Sequence, residues 1–191
     1  MDRAVVSTDH SKIASVCESY GLSAPFIRPV EISGDSISDL EVLAHAVLEM
    51  EKQDGVKYDV VLMLQPTSPL RTVDHVMATT KKLIDEDLDS VWTVSPTESK
   101  AHPLKQLTLT DNKLDYYDPN GADIIARQQL KTVYHRNGIA YAFTRNCLLE
   151  GKSIMGKRSG ALVIKDKAVS IDTREDMGHV EWILNHPAGN K

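Results

Sequence analysis

The run Gln65-Pro66-Thr67-Ser68-Pro69-Leu70-Arg71 follows the apolar stretch Asp59-Val60-Val61-Leu62-Met63-Leu64 and presents an amide, two hydroxyls and a guanidinium on a loop stiffened by two prolines. A loop of this kind holds its donors in place, with little ordering entropy left to lose when a ligand arrives. The plain alternative is a stiff connection in which Arg71 is incidental. Two other polar stretches fall where strands are expected to end, the region in which open α/β sheets bind ligands. One is Thr8-Asp9. The other is Ser170-Ile171-Asp172-Thr173, where an acid between a strand and a helix suits a divalent cation; a simple helix cap at Asp172 or Thr173 explains the same residues. Arg127-Gln128-Gln129 and His135-Arg136-Asn137-Gly138 add guanidinium and amide groups. Guanidinium grips carboxylate or phosphate with paired hydrogen bonds, which points to an acidic ligand, although loop arginines are often merely solvated. His45, His102 and His135 read as structural.

These groups need elements to place them. Ala4 to Ser7 reads as a short buried strand, followed by a helix that Ser11 can cap, with Ile13, Ala14, Val16, Cys17 and Tyr20 at helical spacing and a stop at Gly21. Phe26-Ile27 is a candidate second strand. Ser38-Asp39-Leu40-Glu41 is a capping box opening an amphipathic helix. The Asp59–Leu64 run predicts a strand covered on both faces, and a helix over 73–84 and a strand over 90–94 follow. The segment from about 96 to 136 breaks the alternation with short strand pieces and turns at Asp111-Asn112 and Pro119-Asn120-Gly121, and reads as an inserted lobe. Strands are expected again at 139–143, 161–164 and 168–171, then a closing helix from Thr173. The strand–helix alternation specifies an α/β class, a mostly parallel sheet with helices on both faces.

With 191 residues, 41% hydrophobic and 26% charged, one domain able to bury a core is the prior. A net charge of −5 argues against nucleic acid as the main partner. Two cysteines without metal or redox spacing, no signal peptide and no run of transmembrane length lead to the expectation of a cytoplasmic protein with no membrane role.

The order of these pieces resembles the CMP-acylneuraminate synthetases, cytidylyltransferases that activate sialic-type (nonulosonic) acids. The matching stretches are Val5 to Asp9, Arg28-Pro29 with Glu31, Asp35 to Ser38, His45-Ala46, Leu64 to Arg71, His102 to Lys105, Arg127-Gln128, Asn137-Gly138 with Tyr141, and Ile171 to Thr173. The resemblance implies a nucleotide-diphospho-sugar transferase-like domain over 1–191, with a dimerisation lobe inserted at about 96–136. It also implies a reaction: the acid's anomeric hydroxyl attacks the α-phosphate of CTP, giving the CMP-sugar and pyrophosphate with Mg²⁺. Carried over, Gln65, Thr67 and Ser68 would contact the acid while Arg71 braces the loop. Arg127, Gln128, Asn137 and Arg136 would line its site, and Lys105 would reach the partner subunit's site. Arg28 and Ser38 would lie near the nucleotide, and Asp172 would hold the metal.

Against that pattern three departures stand out. Met1 falls where an internal residue is expected. A first strand and a glycine-containing ARxGSKG-like phosphate loop, a unit of about 30 residues or more, are not found. The family's Asp-x-Asp at the last strand end is Ser170-x-Asp172 here, and the arginine that some members place one position earlier is Arg136. The expectation is therefore an N-terminally truncated cytidylyltransferase that forms a homodimer or higher oligomer, with a non-catalytic descendant keeping a sugar-acid or assembly role as the alternative. Legionaminic, pseudaminic and ketodeoxyoctonic acids remain open as substrates beside acylneuraminic acid.

Overall fold

Helices and strands follow one another as α1 (Ser11–Ser19), α2 (Asp39–Asp54), β1 (Val60–Met63), α3 (Val73–Asp85), β2 (Ser90–Pro96), β3 (Leu107–Thr110), β4 (Lys113–Tyr116), β5 (Tyr134–Thr144), α4 (Arg145–Leu149), β6 (Ser159–Val163) and α5 (Arg174–Asn185). The structure is a computed structural model and describes residues 2–166 and 168–186. The strands bond in the order β1–β5–β2–β6, and β3 with β4 forms a separate hairpin. The fold is α/β, and the main sheet is mixed. Asp89 N–H to Arg158 O and Ile164 N–H to Val94 O set β6 parallel to β2. Thr97 N–H to Val133 O and Thr144 N–H to Asp89 O set β5 antiparallel to β2. The reason is the excursion between them: the chain leaves β2 at Thr97 and returns beside it at Val133, so β5 must run back.

The described residues divide into two compact units, 2–63 with 83–90 and 142–159, and 64–82 with 91–141, 160–166 and 168–186. In the first, Ser38 and Glu41 close the capping box at the start of α2, and Gly55 ends the helix at φ 68°. Leu43, Val47 and Met50 of α2 are buried. Glu51, on the same helix, accepts from Arg145 Nε at 2.7 Å and Nη2 at 3.0 Å, pinning α2 to α4. The Arg145 guanidinium holds the Glu51 carboxyl below its ordinary value of 4.5. A depressed carboxyl stabilises the fold above its unfolded value and loses that contribution as pH falls through the folded one. Arg145→Ala is therefore expected to lower the thermal midpoint clearly at pH 7, with the gap to wild type narrowing as pH drops below about 4.5; a gap that is the same at pH 7 and pH 3 overturns the assignment.

The opening segment departs from expectation. Ala4 to Ser7 is no regular strand; the isolated parallel bridges Val5↔Ser23 and Thr8↔Ile27 tie it to the segment around Phe26. His10, not Ser11, caps α1, its Nδ1 accepting from Lys12 N–H. Of the α1 residues spaced for a core face, Ala14 is buried whereas Ile13, Val16 and Tyr20 are exposed. The residues of β1, expected to be covered on both faces, are each half-buried.

In the second unit Ile139, Ala140 and Ile164 form a buried cluster, with Val76 of α3, Leu162 and Ala168 packed on it. The hairpin turns as its sequence requires: Asp111 and Asn112 both take positive φ, 49° and 62°, between the paired residues Thr110 and Lys113. Thr173 caps α5 in a second capping box with Asp176. Residues 168–171, expected as a strand, are not one; the Ile171 N–H bonds Thr67 O instead.

Candidate functional site

The polar loop and the Asn137-Gly138 turn form one clamp. Gln65 N–H bonds Gly138 O at 3.2 Å, and Ser68 N–H bonds Gln65 O at 3.1 Å. The Ser68 hydroxyl, buried, donates to Asn137 O at 2.8 Å. Arg71 Nη2 donates to Gln65 O and also reaches Gly138 O at 3.5 Å. Arg71 therefore braces the loop, and burial lowers its pKa from the ordinary arginine value. Its Nε is buried without a hydrogen-bond partner.

Gly138 sits in this clamp at φ +71°. Its N–H donates to the Tyr141 hydroxyl at 2.7 Å. A side chain there would meet Gln65 Oε1 and Ser68 Oγ, both at 2.4 Å from the ideal Cβ. The Gln65 amide thus lies directly against the turn. Beside it, Asn137 is buried and its amide is engaged: Oδ1 accepts from Thr93 Oγ1 at 2.7 Å and Ile139 N–H at 3.2 Å, and Nδ2 donates to Ser95 Oγ at 3.1 Å. Alternation along β2 places Thr93 and Ser95 on one face, but nothing in that spacing pairs them with Asn137. Sequence reading did not single them out.

Thr67 extends the clamp to the third polar stretch, since its carbonyl accepts from Ile171 N–H at 2.8 Å. That bond brings Asp172 beside the loop. Asp172 is exposed, and Ser170 Oγ lies 3.5 Å from its Oδ1. The neighbouring Asp176 caps α5: its Oδ2 receives the Thr173 hydroxyl and the N–H groups of Thr173 and Asp172, which hold it below the usual carboxylate range. Among the described residues no group of three or more His, Cys, Asp or Glu could hold a metal. One carboxylate with one hydroxyl suits Mg²⁺ that keeps waters and takes phosphate oxygens as further ligands, not a cation held by protein alone.

The remaining candidates are less gathered. Arg136 is exposed and its guanidinium stacks over Trp92, 5.4 Å from the ring centroid. Trp92 in turn packs on Tyr141 at 4.9 Å. Sequence reading passed over Trp92 because a strand tryptophan is ordinarily core. Arg127 and Gln128 lie exposed on a 3₁₀ turn, and exposed Lys105 donates to Ser99 Oγ at 3.0 Å. In the other unit, Arg28 donates to Ser33 Oγ and Ser7 O and faces Asp9 at 3.9 Å. Ser38 is held in its capping box. Ser7 Oγ and His45 Nδ1 are buried there without partners.

No protein-family model matches the chain. It is 31% identical over 177 residues to N-acylneuraminate cytidylyltransferase of Streptococcus agalactiae serotype V, an alignment that takes in 92% of this chain and 41% of that protein. It is 28% identical over 182 residues to CMP-N,N'-diacetyllegionaminic acid synthase of Campylobacter jejuni, covering 95% of this chain and 76% of the relative. The chain thus spans about two fifths of the streptococcal protein and three quarters of the Campylobacter one. Among solved structures, CMP:2-keto-3-deoxy-manno-octonic acid synthetase complexed with CTP superposes with a TM-score of 0.66 at 13% identity, over 98% of this chain and 83% of that one. That likeness is one of fold.

Proposed function

We propose that this homologue of the CMP-nonulosonic acid cytidylyltransferases binds a nonulosonic acid at the clamp of loop 65–71 and transfers a cytidylyl group to it from CTP. The observation that carries the reading is the clamp itself. A stiff loop, a left-handed glycine and a lone exposed carboxylate are tied together by Arg71, Ser68 and the Thr67–Ile171 bond.

In this reading the amide of Gln65 and the hydroxyl of Thr67 orient the acid. Arg136, held over Trp92, and Arg127 with Gln128 receive its carboxylate. Buried Asn137 and Ser68 position the turn and the loop. Arg28 and Ser38 serve the nucleotide. Positioning and charge neutralisation carry most of such a phosphoryl-type transfer. Asp172, with the Ser170 hydroxyl, would hold Mg²⁺, whose charge offsets that developing on the phosphates. The exposed hairpin residues Leu107, Leu109 and Leu114 support pairing of two copies through the 96–136 lobe, which would bring Lys105 to the partner's site. The need for CTP favours the cytoplasm.

A second reading rests on one observation: Asp172 pairs with the Ser170 hydroxyl, and among the described residues no group of three or more His, Cys, Asp or Glu could hold a metal. A non-catalytic descendant that still binds the acid fits that donor set. Pyrophosphate release from CTP, Mg²⁺ and a panel of nonulosonic acids, with sedimentation and calorimetric acid binding run in parallel, separates the two. Turnover by a dimer supports transfer. Acid binding without turnover, unchanged in Ser170→Asp, supports the second reading. No acid binding overturns both.

A further inference from the structure

Behind loop 65–71 lies an open cleft whose volume is about 20 Å³, with Ser68 and Leu70 of the loop among its lining residues. Ile139, Ile164, Ala168 and Val169 give it an apolar wall. Two polar groups face it, His75 from the first turn of α3 and Asp166 from the chain just beyond β6. A space of that size takes about one water-sized group, so it suits a single hydroxyl at the end of a ligand rather than a whole one.

The imidazole is fixed by the helix start. Thr72 N–H donates to His75 Nδ1 at 3.2 Å, and His75 N–H donates to Thr72 Oγ1 at 3.3 Å. This is a reciprocal cap with histidine in the place of the usual acid. Because Nδ1 accepts, the neutral ring carries its proton on Nε2. That atom stands 3.8 Å from Asp166 Oδ2, too far for a hydrogen bond. His75 is 16% exposed and Asp166 87% exposed, so the donor sits inside and the acceptor at the mouth. An oxygen about 2.8 Å from each atom fits between them with an angle of about 85° at the oxygen. It would accept from Nε2–H and donate to the carboxylate, which only a hydroxyl or a water can do.

We propose that this cleft is a hydroxyl-recognising subsite: it receives the hydroxyl-bearing end of the acid's carbon tail, that hydroxyl bridging His75 and Asp166 beside the apolar wall. The inference rests on the acid-binding reading and adds to it the two residues that read the tail. Both belong to the same unit as the loop, and neither takes part in the clamp.

The test uses N-acetylneuraminate as probe, with calorimetry for affinity and the δ-methyl resonances of Ile139 and Ile164 as local reporters. His75→Glu keeps the cap to Thr72 in its ordinary acidic form but removes the Nε2–H donor; Asp166→Asn alters an exposed group and leaves folding intact. Each variant is expected to bind the acid about tenfold more weakly, with an unchanged thermal midpoint. The same acid, its tail shortened by mild periodate and borohydride, should bind wild type and His75→Glu equally. Wild-type affinity in both variants, or acid binding that leaves both methyl signals unmoved, overturns the subsite while the acid-binding reading stands. Absence of any acid binding to wild type overturns both.

Discussion

Gly138→Ala is expected to destabilise the fold by about 3 kcal/mol and to abolish detectable acid binding, while Gly55→Ala costs about 1 kcal/mol. The two glycines have nearly the same backbone, φ +71° and +68°, so the left-handed strain of a methyl-bearing residue is common to both. What differs is the space. A Cβ at Gly55 meets nothing within 4 Å, whereas one at Gly138 meets Gln65 Oε1 and Ser68 Oγ at 2.4 Å. Gln65 can swing away at little cost. Ser68 cannot, because it is buried and its hydroxyl holds Asn137 O. Relieving the clash therefore shifts loop 65–71 off the turn and opens the clamp. Urea unfolding of both variants reads the difference directly. Equal losses at the two positions would mean that the clamp yields freely and does not hold the loop.

The sequence shows the clamp's parts but not its closure. Loop 65–71 is legible as a stiff polar connection because its prolines and polar run follow a strand, and the box at Ser38 and the cap at Thr173 because a cap is a local affair of four residues. The turn at Asp111-Asn112 is legible for the same reason. Long-range partners are not local. Nothing near Asn137 in sequence shows that its amide turns inward to Thr93 and Ser95, 44 and 42 residues away. The apolar spacing of α1 predicts a buried face, yet Ile13, Val16 and Tyr20 are exposed; periodicity reports which residues could be covered, not what covers them. Residues 168–171 have strand-like composition, but the Ile171 N–H bonds a loop carbonyl. His75 was invisible because its role depends on Thr72 and on Asp166, 91 positions away.

Arg71 is where bracing can be told from contact. Its guanidinium reaches Gln65 O and Gly138 O, and among the described residues no carboxylate pairs with it. Both contacts leave the one nitrogen Nη2, and a lysine ammonium also carries several donors, though on a shorter stem, so Arg71→Lys is expected to recover part of what Arg71→Met loses. Methionine keeps the apolar stem and removes the charge and all donors, leaving two carbonyls on the loop and the turn without their shared partner. Acid affinity in Arg71→Met should fall at least about tenfold. The decisive measurement is the cycle with Gly138→Ala, read as unfolding free energies. If Arg71 acts by holding the loop on the turn, the double variant is scarcely less stable than Gly138→Ala alone, because the first change has already opened the contact that the second removes. If Arg71 instead acts on a separate partner, such as the acid's carboxylate, Arg71→Met lowers acid affinity yet leaves the unfolding free energy almost untouched, alone and beside Gly138→Ala.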